Sequence, residues 1–267
     1  LTDHIHFSTT VERVEKVVDA ETGCELWEVE STDATGAVTV RHADAVVVSN
    51  CRNWNPKWPS PQYPGTFTGT QMHAHDYRSS EAFRGKRVLV VGMGNSATDI
   101  AVDASYVGHD VLLSARHGSW IVPKYLFGRP ADATGAALTA LPWRERQLVA
   151  QRMLTLAVGA PQSYGLPEPS HGLFQNHPTI SDTILHRITH GEVRLATGSP
   201  SRSRASTTWA PAPRRCRFST ACHLDDPSLM FTGLMQSTGA ALPVVEAQGK
   251  LVAAWVSGAY SLPQPDA

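Results

Sequence analysis

The stretch Arg87-Val-Leu-Val-Val91-Gly92-Met-Gly94-Asn-Ser-Ala97 decides the fold. Its first five residues are mostly apolar and β-branched, which predicts a strand buried in a parallel sheet. A helical pattern follows from Ser96 to Val107, with Gly108 placed as its C-terminal stop, and Asp110–Ser114 reads as the next strand. This β-α-β succession fills about thirty residues, the size of one mononucleotide-binding half of a Rossmann-like domain.

The turn between that strand and helix has the pattern Gly-x-Gly-x-x-Ala, which in this context predicts a dinucleotide diphosphate site. Gly92 permits the tight turn, Gly94 lets the backbone approach the diphosphate, and Ala97 keeps the helix close to the sheet. Asn95 and Ser96 are candidates for side-chain hydrogen bonds, beside the free N–H groups and dipole of the helix start. The alternative is a glycine turn required by packing alone.

The end of the second strand indicates which nucleotide is bound. An NAD site has an acidic residue about 20 residues past the glycines, where it holds the ribose 2′-hydroxyl. This chain has Ser114-Ala-Arg116-His117 there instead. A guanidinium matches a 2′-phosphate in charge and geometry, so Arg116 predicts NADPH, with His117 as a second candidate. Either side chain is alternatively an ordinary surface residue.

Composition excludes several classes of protein. The chain has 267 residues, 42% hydrophobic and 18% charged, with a formal net charge of -1, which disfavours nucleic acid and anionic lipid as partners. Its four cysteines form no Cys-x-x-Cys pair, so neither a zinc ribbon nor a dithiol redox centre is indicated. No signal peptide is visible, and no apolar stretch approaches the roughly 20 residues of a membrane span. We therefore expect a soluble cytoplasmic protein without a metal site.

The rest of the chain alternates between strand and helix patterns. Strands are predicted at Ile5–Phe7, Val11–Val17, Leu26–Glu30, Ala37–Arg41, Ala43–Ser49 and Leu229–Gly233. Helices are predicted at Trp143–Val158, at Pro178–His190 with Ser181 as its cap, and at Pro243–Gly258. Between Ala196 and Cys222 there is no Leu, Ile, Val or Met, and no acidic residue, but there are five arginines. Such a composition cannot bury a core, so this segment is predicted to be irregular.

A second signature stands upstream of the glycine turn: Phe67-Thr-Gly69-Thr-Gln-Met-His73-Ala-His-Asp-Tyr77. From physics alone it is a loop with an aromatic anchor, a flexible glycine and polar rings. It resembles the fingerprint of flavin-containing monooxygenases at all of its defining positions, and it precedes the glycine turn at the family's spacing. Leu112–Trp120, Leu173–Asp182 and Phe231–Pro243 resemble further segments of that family. Baeyer–Villiger monooxygenases usually carry Trp where Tyr77 stands, so Tyr77 favours the N- and S-oxygenating branch.

The resemblance implies an α/β fold in which a Rossmann-like NADPH domain is inserted in a partial second Rossmann-like domain for FAD. The implied boundaries are 1–60 for the partial FAD domain, 61–195 for the NADPH domain, 196–222 for an irregular or aberrant segment, and 223–267 for the return to the FAD domain. The resemblance also implies roles in cofactor binding for further residues. They are Phe67, Gly69, His73 and Tyr77 of the fingerprint, near the junction of the two domains, and Gln236 and Gly239 beside the flavin ring.

The implied activity is oxygenation. NADPH would reduce FAD, a flavin C4a-hydroperoxide would form with O₂, and one oxygen atom would pass to a small-molecule amine or sulfide. No protein nucleophile is required, so no catalytic side chain is predicted.

Three departures from the family pattern lead to an alternative. No G-x-G-x-x-G motif for the FAD diphosphate occurs in residues 1–50, and Cys51 stands where the family typically has glycine. Residues 196–222 occupy the place where two strands and a second small-residue turn should complete the FAD domain. We therefore expect this chain to bind FAD poorly. The alternatives are a Baeyer–Villiger monooxygenase and a non-catalytic or degenerate NADP-binding fragment.

Overall fold

The computed structural model of the chain describes residues 2–50, 55–60, 63–115, 117–196, 226–234 and 241–261. They fall into two compact units. The first unit holds 2–50, 226–234 and 241–261, and the second holds the described residues between 55 and 196. Most of the segment predicted to be irregular, and Cys51, lie outside the described residues.

The described elements mix strands and helices. In chain order the strands are β1 Thr10–Val18, β2 Glu25–Thr32, β3 Val38–Ala43, β4 Val46–Val48, β5 Arg87–Val91, β6 Asp110–Ser114, β7 Ile121–Val122, β8 Tyr125–Leu126, β9 Arg129–Pro130, β10 Thr179–Ile180, β11 Arg194–Leu195 and β12 Leu229–Phe231. The α-helices are α1 Asn95–Val107, α2 Ala131–Ala137, α3 Trp143–Val158, α4 Ile184–Thr189 and α5 Ala241–Val256. Short 3₁₀ helices occur at Thr2–His4, Ala74–Asp76, Ser80–Phe83 and Pro161–Tyr164.

A parallel sheet with the order β11-β6-β5 organises the second unit. Helix α1 connects β5 to β6, as predicted, and Gly108 ends it by donating its N–H to the carbonyl of Ala104 at 2.7 Å. The buried residues that pack the sheet against its helices are Val90, Val111, Leu113, Ala101, Ala104 and Ile184. The two alanines let α1 lie close to the strands, so this part of the chain has the Rossmann-like arrangement expected from its sequence. The predicted burial of β5 is wrong for one of its faces, because Leu89 is 56% and Val91 51% exposed.

The long connection between β6 and β11 carries its own small core. Strand β7 pairs in parallel with β10, and the buried side chains of Trp120, Val122, Leu154 and Leu173 pack together. Helix α3 has the predicted bounds.

The helix predicted over Pro178–His190 is wrong in its first half. Thr179–Ile180 forms β10 instead, because β7 provides a strand partner that the helical periodicity of the segment does not reveal. Only Ile184–Thr189 is helical. The Ser181 hydroxyl accepts a hydrogen bond from the Ile184 N–H at 3.2 Å, so it still satisfies a donor at the start of this shorter helix.

The first unit contains an antiparallel sheet with the order β1-β2-β3, close to three of the predicted strands. The strand predicted at Ile5–Phe7 is wrong, since those residues lie outside any strand. Strand β4 pairs in parallel with β12, and Met230 of β12 is fully buried against α5. The apolar run of residues 43–49 is typical of a strand buried on both faces, but Val47 of β4 is 41% exposed.

Candidate dinucleotide-binding site

The glycine turn lies where β5 passes into α1. Gly92 has φ of +130°, a conformation that residues with a Cβ rarely adopt. Its N–H donates to the carbonyl of Ser114 at 2.9 Å, which ties the turn to the end of β6. An ideal Cβ on Gly92 would lie 3.5 Å from the Cβ of Ala97, which is ordinary van der Waals contact. Backbone conformation therefore explains the first glycine.

Gly94 is different, because nothing in the described part of the chain requires a glycine there. Its φ of −84° and ψ of 177° suit any residue, and an ideal Cβ would meet no atom of the described residues within 4 Å. Gly94 is also the N-cap of α1 and has no side chain to satisfy the helix start. The open space beside this residue is the kind of cradle that a closely approaching ligand fills.

The start of α1 presents backbone donors beside that space. The first intrahelical hydrogen bond runs from Thr98 N to Gly94 O at 3.0 Å, so the N–H groups of Asn95, Ser96 and Ala97 precede it and have no partner within the helix. Such donors, together with the positive end of the helix dipole, favour an anion. The turn therefore fits a diphosphate.

Residues of the long connection between β6 and β11 form hydrogen bonds with the glycine turn. Thr179 Oγ1 donates to the Met93 carbonyl at 2.5 Å and lies 2.9 Å from Ser119 Oγ. Asn95 Oδ1 accepts the N–H of Ile180 at 2.7 Å. That oxygen is therefore engaged within the protein, which leaves the Nδ2 group of Asn95 for the predicted diphosphate contact.

The end of β6 is described only in part. Arg116, the residue predicted to bind the 2′-phosphate, lies outside the described residues, whereas His117 is exposed. Gly118 is buried, and an ideal Cβ on it would lie 2.2 Å from the carbonyl oxygen of Pro167 and 2.4 Å from the carbonyl carbon of Glu168. Here a glycine is required because two backbone segments touch.

The first half of the fingerprint loop folds back on itself. An ideal Cβ on Gly69 would lie 2.6 Å from the ring of Phe67, so that ring covers the glycine, while the Phe67 side chain is 63% exposed. His73 Nδ1 accepts the N–H of His75 at 3.0 Å, and the His73 ring lies 5.6 Å from that of Trp58. Because the exposed Phe67 ring can rotate away, this contact alone does not require a glycine at position 69.

The second half of the fingerprint loop contacts helix α1. Tyr77 stacks on Phe83 with ring centroids 5.6 Å apart, and its hydroxyl donates to Asp103 Oδ2 at 2.8 Å. Burial, then the hydrogen bond and charge of Asp103, raises the pKa of Tyr77 to about 12. Asp103 lies on α1 and was not predicted from the sequence, because it is 26 residues from its partner.

The predicted flavin-side residues, Gln236 and Gly239, lie outside the described residues. Close by in the sequence, the Gly233 N–H donates to Oε1 of the buried Gln248 of α5 at 3.1 Å. Within the described ranges, no three His, Cys, Asp or Glu side chains are grouped so as to hold a metal ion. No helix in that same part of the chain is long and apolar enough to cross a membrane.

Comparison with known proteins identifies relatives of the chain. Residues 1–201 match the family described as flavin-binding monooxygenase-like. Flavin-containing monooxygenase 5 of Homo sapiens is 29% identical over 303 aligned residues, which cover 98% of this chain and 56% of that protein. Dimethylaniline monooxygenase [N-oxide-forming] 2 of Mus musculus is 27% identical over 306 residues, with the same coverage. The chain thus spans little more than half the length of these relatives.

Two solved structures show the same fold. Tmm from Pelagibacter sp. strain HTCC7211 aligns with a TM-score of 0.53 at 19% identity, covering 99% of this chain and 52% of that one. S-allyl-L-cysteine S-oxygenase from Allium sativum aligns with a TM-score of 0.50 at 20% identity, covering 95% and 51%.

Proposed function

The chain belongs to the flavin-binding monooxygenase-like family, and from this premise we propose that it forms part of an NADPH- and FAD-dependent monooxygenase. The substrate would be a small molecule with a soft nucleophilic atom, an amine nitrogen or a sulfide sulfur, which receives one oxygen atom from O₂. The observation that carries the NADPH half of this proposal is the open space beside Gly94 at the start of α1.

The second unit would bind NADPH at the glycine turn. The diphosphate would lie against the N–H groups at the start of α1, close to the backbone of Gly94, with Asn95 Nδ2 and the Ser96 hydroxyl within the same turn. Arg116 and His117 would receive the 2′-phosphate. The NADPH domain would then correspond to 61–195, flanked by FAD-domain segments 1–60 and 223–267, with 196–222 as an irregular segment between them.

FAD is a less complete fit to the residues present. The sequence has one Gly-x-Gly-x-x-Ala turn, and residues 1–50 contain glycine only at 23 and 36, so no second diphosphate turn occurs there. Flavin, when bound, supplies the oxygen activation of this family. From this chain we propose Gln236 and Gly239 beside the flavin ring, and the fingerprint residues Phe67, Gly69, His73 and Tyr77 near the nucleotides. Taken by themselves, the residues given also fit a second candidate function, an NADP-binding module that does not catalyse.

Titration of the purified whole chain with NADPH and NADH tests the nucleotide assignment. We expect NADPH to bind more tightly. Replacing Arg116 with alanine should raise the Kd for NADPH by about 10- to 150-fold, since a hydrogen bond to a charged group contributes about 1.5–3 kcal/mol, and should change the Kd for NADH little. Arg152→Ala, at an exposed position of α3, is the matched control for loss of one positive charge. Equal weakening of both nucleotides by Arg116→Ala would contradict the 2′-phosphate role.

The flavin content of the same preparation tests the second candidate function. We expect a substoichiometric flavin absorption spectrum from this chain alone, which is compatible with both candidate functions. A stoichiometric yellow protein would contradict the expected poor binding of FAD and would favour the monooxygenase over the NADP-binding module. A panel of sulfides, tertiary amines and ketones would then distinguish N- and S-oxygenation from Baeyer–Villiger chemistry.

A further inference from the structure

The peptide group between Met93 and Gly94 is held by a side chain 86 residues further along the sequence. The Thr179 hydroxyl lies 2.5 Å from the Met93 carbonyl oxygen, and only 2% of this residue is exposed. A carbonyl oxygen has no hydrogen to give, so Thr179 must donate. The hydroxyl therefore fixes where this carbonyl points.

A second hydroxyl group, that of Ser119, orients the hydroxyl of Thr179 by a hydrogen bond. Ser119 Oγ lies 2.9 Å from Thr179 Oγ1. A hydroxyl has one hydrogen, and that of Thr179 is used by Met93, so Ser119 donates to Thr179. The three groups form a chain of hydrogen bonds in which each polarises the next. Asn95 Oδ1, which accepts the N–H of Ile180, anchors the turn to the same strand.

This arrangement has a consequence for the other side of the peptide. The peptide bond is planar and trans, so the C=O of residue 93 and the N–H of residue 94 point in opposite directions. When Thr179 holds the carbonyl, it directs the Gly94 N–H away from the protein interior. Gly94 is exposed, and an added Cβ on it would meet no atom of the described residues within 4 Å, so the space beside its N–H is open to a ligand.

We propose that Thr179 is a positioning residue for the dinucleotide diphosphate, because its hydroxyl, oriented by Ser119, presets the Gly94 N–H as a donor to a phosphate oxygen. The inference rests on the proposed NADPH-binding function. A donor that is already oriented loses little freedom when the ligand arrives, so the benefit is realised in ligand affinity. If the Thr179 hydroxyl served only to satisfy the carbonyl of Met93, its removal would change the free energy of unfolding and leave the ligand affinity unchanged.

The test compares two ligands on the whole chain. NADP⁺ carries both the diphosphate and the 2′-phosphate, whereas adenosine 2′-monophosphate carries only the latter. Thr179→Val removes the hydroxyl but keeps the shape, and it should raise the Kd for NADP⁺ about 5- to 10-fold, the value of one net hydrogen bond. The Kd for adenosine 2′-monophosphate should stay unchanged. Thr179→Ser retains the hydroxyl and should restore NADP⁺ affinity, and Ser119→Ala should give a smaller loss in the same direction.

The possible failures can be told apart. Wild-type chain that does not bind NADP⁺ overturns the proposed function and this inference with it. Wild-type binding that Thr179→Val leaves unchanged, or weakens equally for both ligands, overturns the positioning role alone. If Thr179→Val does not fold, Ser119→Ala decides: weaker NADP⁺ binding with unchanged adenosine 2′-monophosphate binding supports the role, and any other result overturns it.

Discussion

Substitution of Gly94 by serine should separate ligand binding from folding. The backbone at this position has φ of −84° and ψ of 177°, which serine adopts without strain, and an ideal Cβ meets no atom within 4 Å among the residues that the structure describes. Serine is also among the preferred N-cap residues, and its hydroxyl can accept a hydrogen bond from the first turn of α1. The free energy of unfolding should therefore stay the same or rise by a few tenths of a kcal/mol.

Ligand affinity should fall in the same variant. The serine side chain would occupy space that a phosphate oxygen needs in order to reach the N–H groups at the start of α1. Losing one hydrogen bond to a charged group costs about 1.5–3 kcal/mol, which raises the Kd for NADP⁺ about 10- to 150-fold. Calorimetric titration measures the Kd, and urea denaturation measures stability.

Gly135→Ala in α2 is the matched control, because it adds a Cβ in open space within the same unit. It should leave the Kd unchanged and add up to about 1 kcal/mol of stability, since alanine is the better helix former. Folded Gly94→Ser protein with wild-type affinity would refute the diphosphate assignment. A loss of more than about 1 kcal/mol of stability would show instead that packing requires this glycine, contrary to its geometry.

Two further predictions concern Tyr77 and Gly118. The difference between the absorbance titrations of the wild type and of Tyr77→Phe should show that the phenol of Tyr77 ionises near pH 12. Burial, and then Asp103, raises the pKa of Tyr77 to about 12. The fold favours the protonated phenol, so its contribution to stability is present below pH about 10 and is lost as pH rises through the folded-state pKa. The substitution Asp103→Asn should move the pKa of Tyr77 toward its usual range. A Tyr77 phenol that already ionises near pH about 10 in the wild type would contradict the buried contact with Asp103. Gly118→Ala should lower the free energy of unfolding by about 1–3 kcal/mol, because the added Cβ overlaps backbone at Pro167 that cannot rotate away. An unchanged urea midpoint in that variant would count against the close approach of the two segments.

The glycine turn was predictable because its signals are local. An apolar run, two glycines, an alanine and the stop at Gly108 lie within about thirty residues and describe one strand, one helix and the next strand. The different roles of Gly92 and Gly94 were also predicted from this local pattern. The structure adds the positive φ of Gly92 and the open space beside Gly94.

The supporting residues could not be predicted, because their partners are remote in sequence. Thr179 contacts a carbonyl 86 positions away, and Asp103 meets Tyr77 across 26 residues. A threonine or an aspartate on its own resembles any other polar residue in the pattern. The wrong helix over 178–183 has the same origin, since pairing with β7 outweighs local periodicity.

The distance between Met93 and Thr179 along the chain also sets an order of assembly. Strand β5, helix α1 and strand β6 span residues 87–114 and can form as soon as that segment leaves the ribosome. Thr179 emerges later, after the small core around Trp120 and Leu154 has been synthesised. A nascent chain that ends before residue 179 would hold the strands and the helix but not the fixed peptide. Affinity for the coenzyme should therefore rise by about 5- to 10-fold once Thr179 has joined this unit, late in its translation.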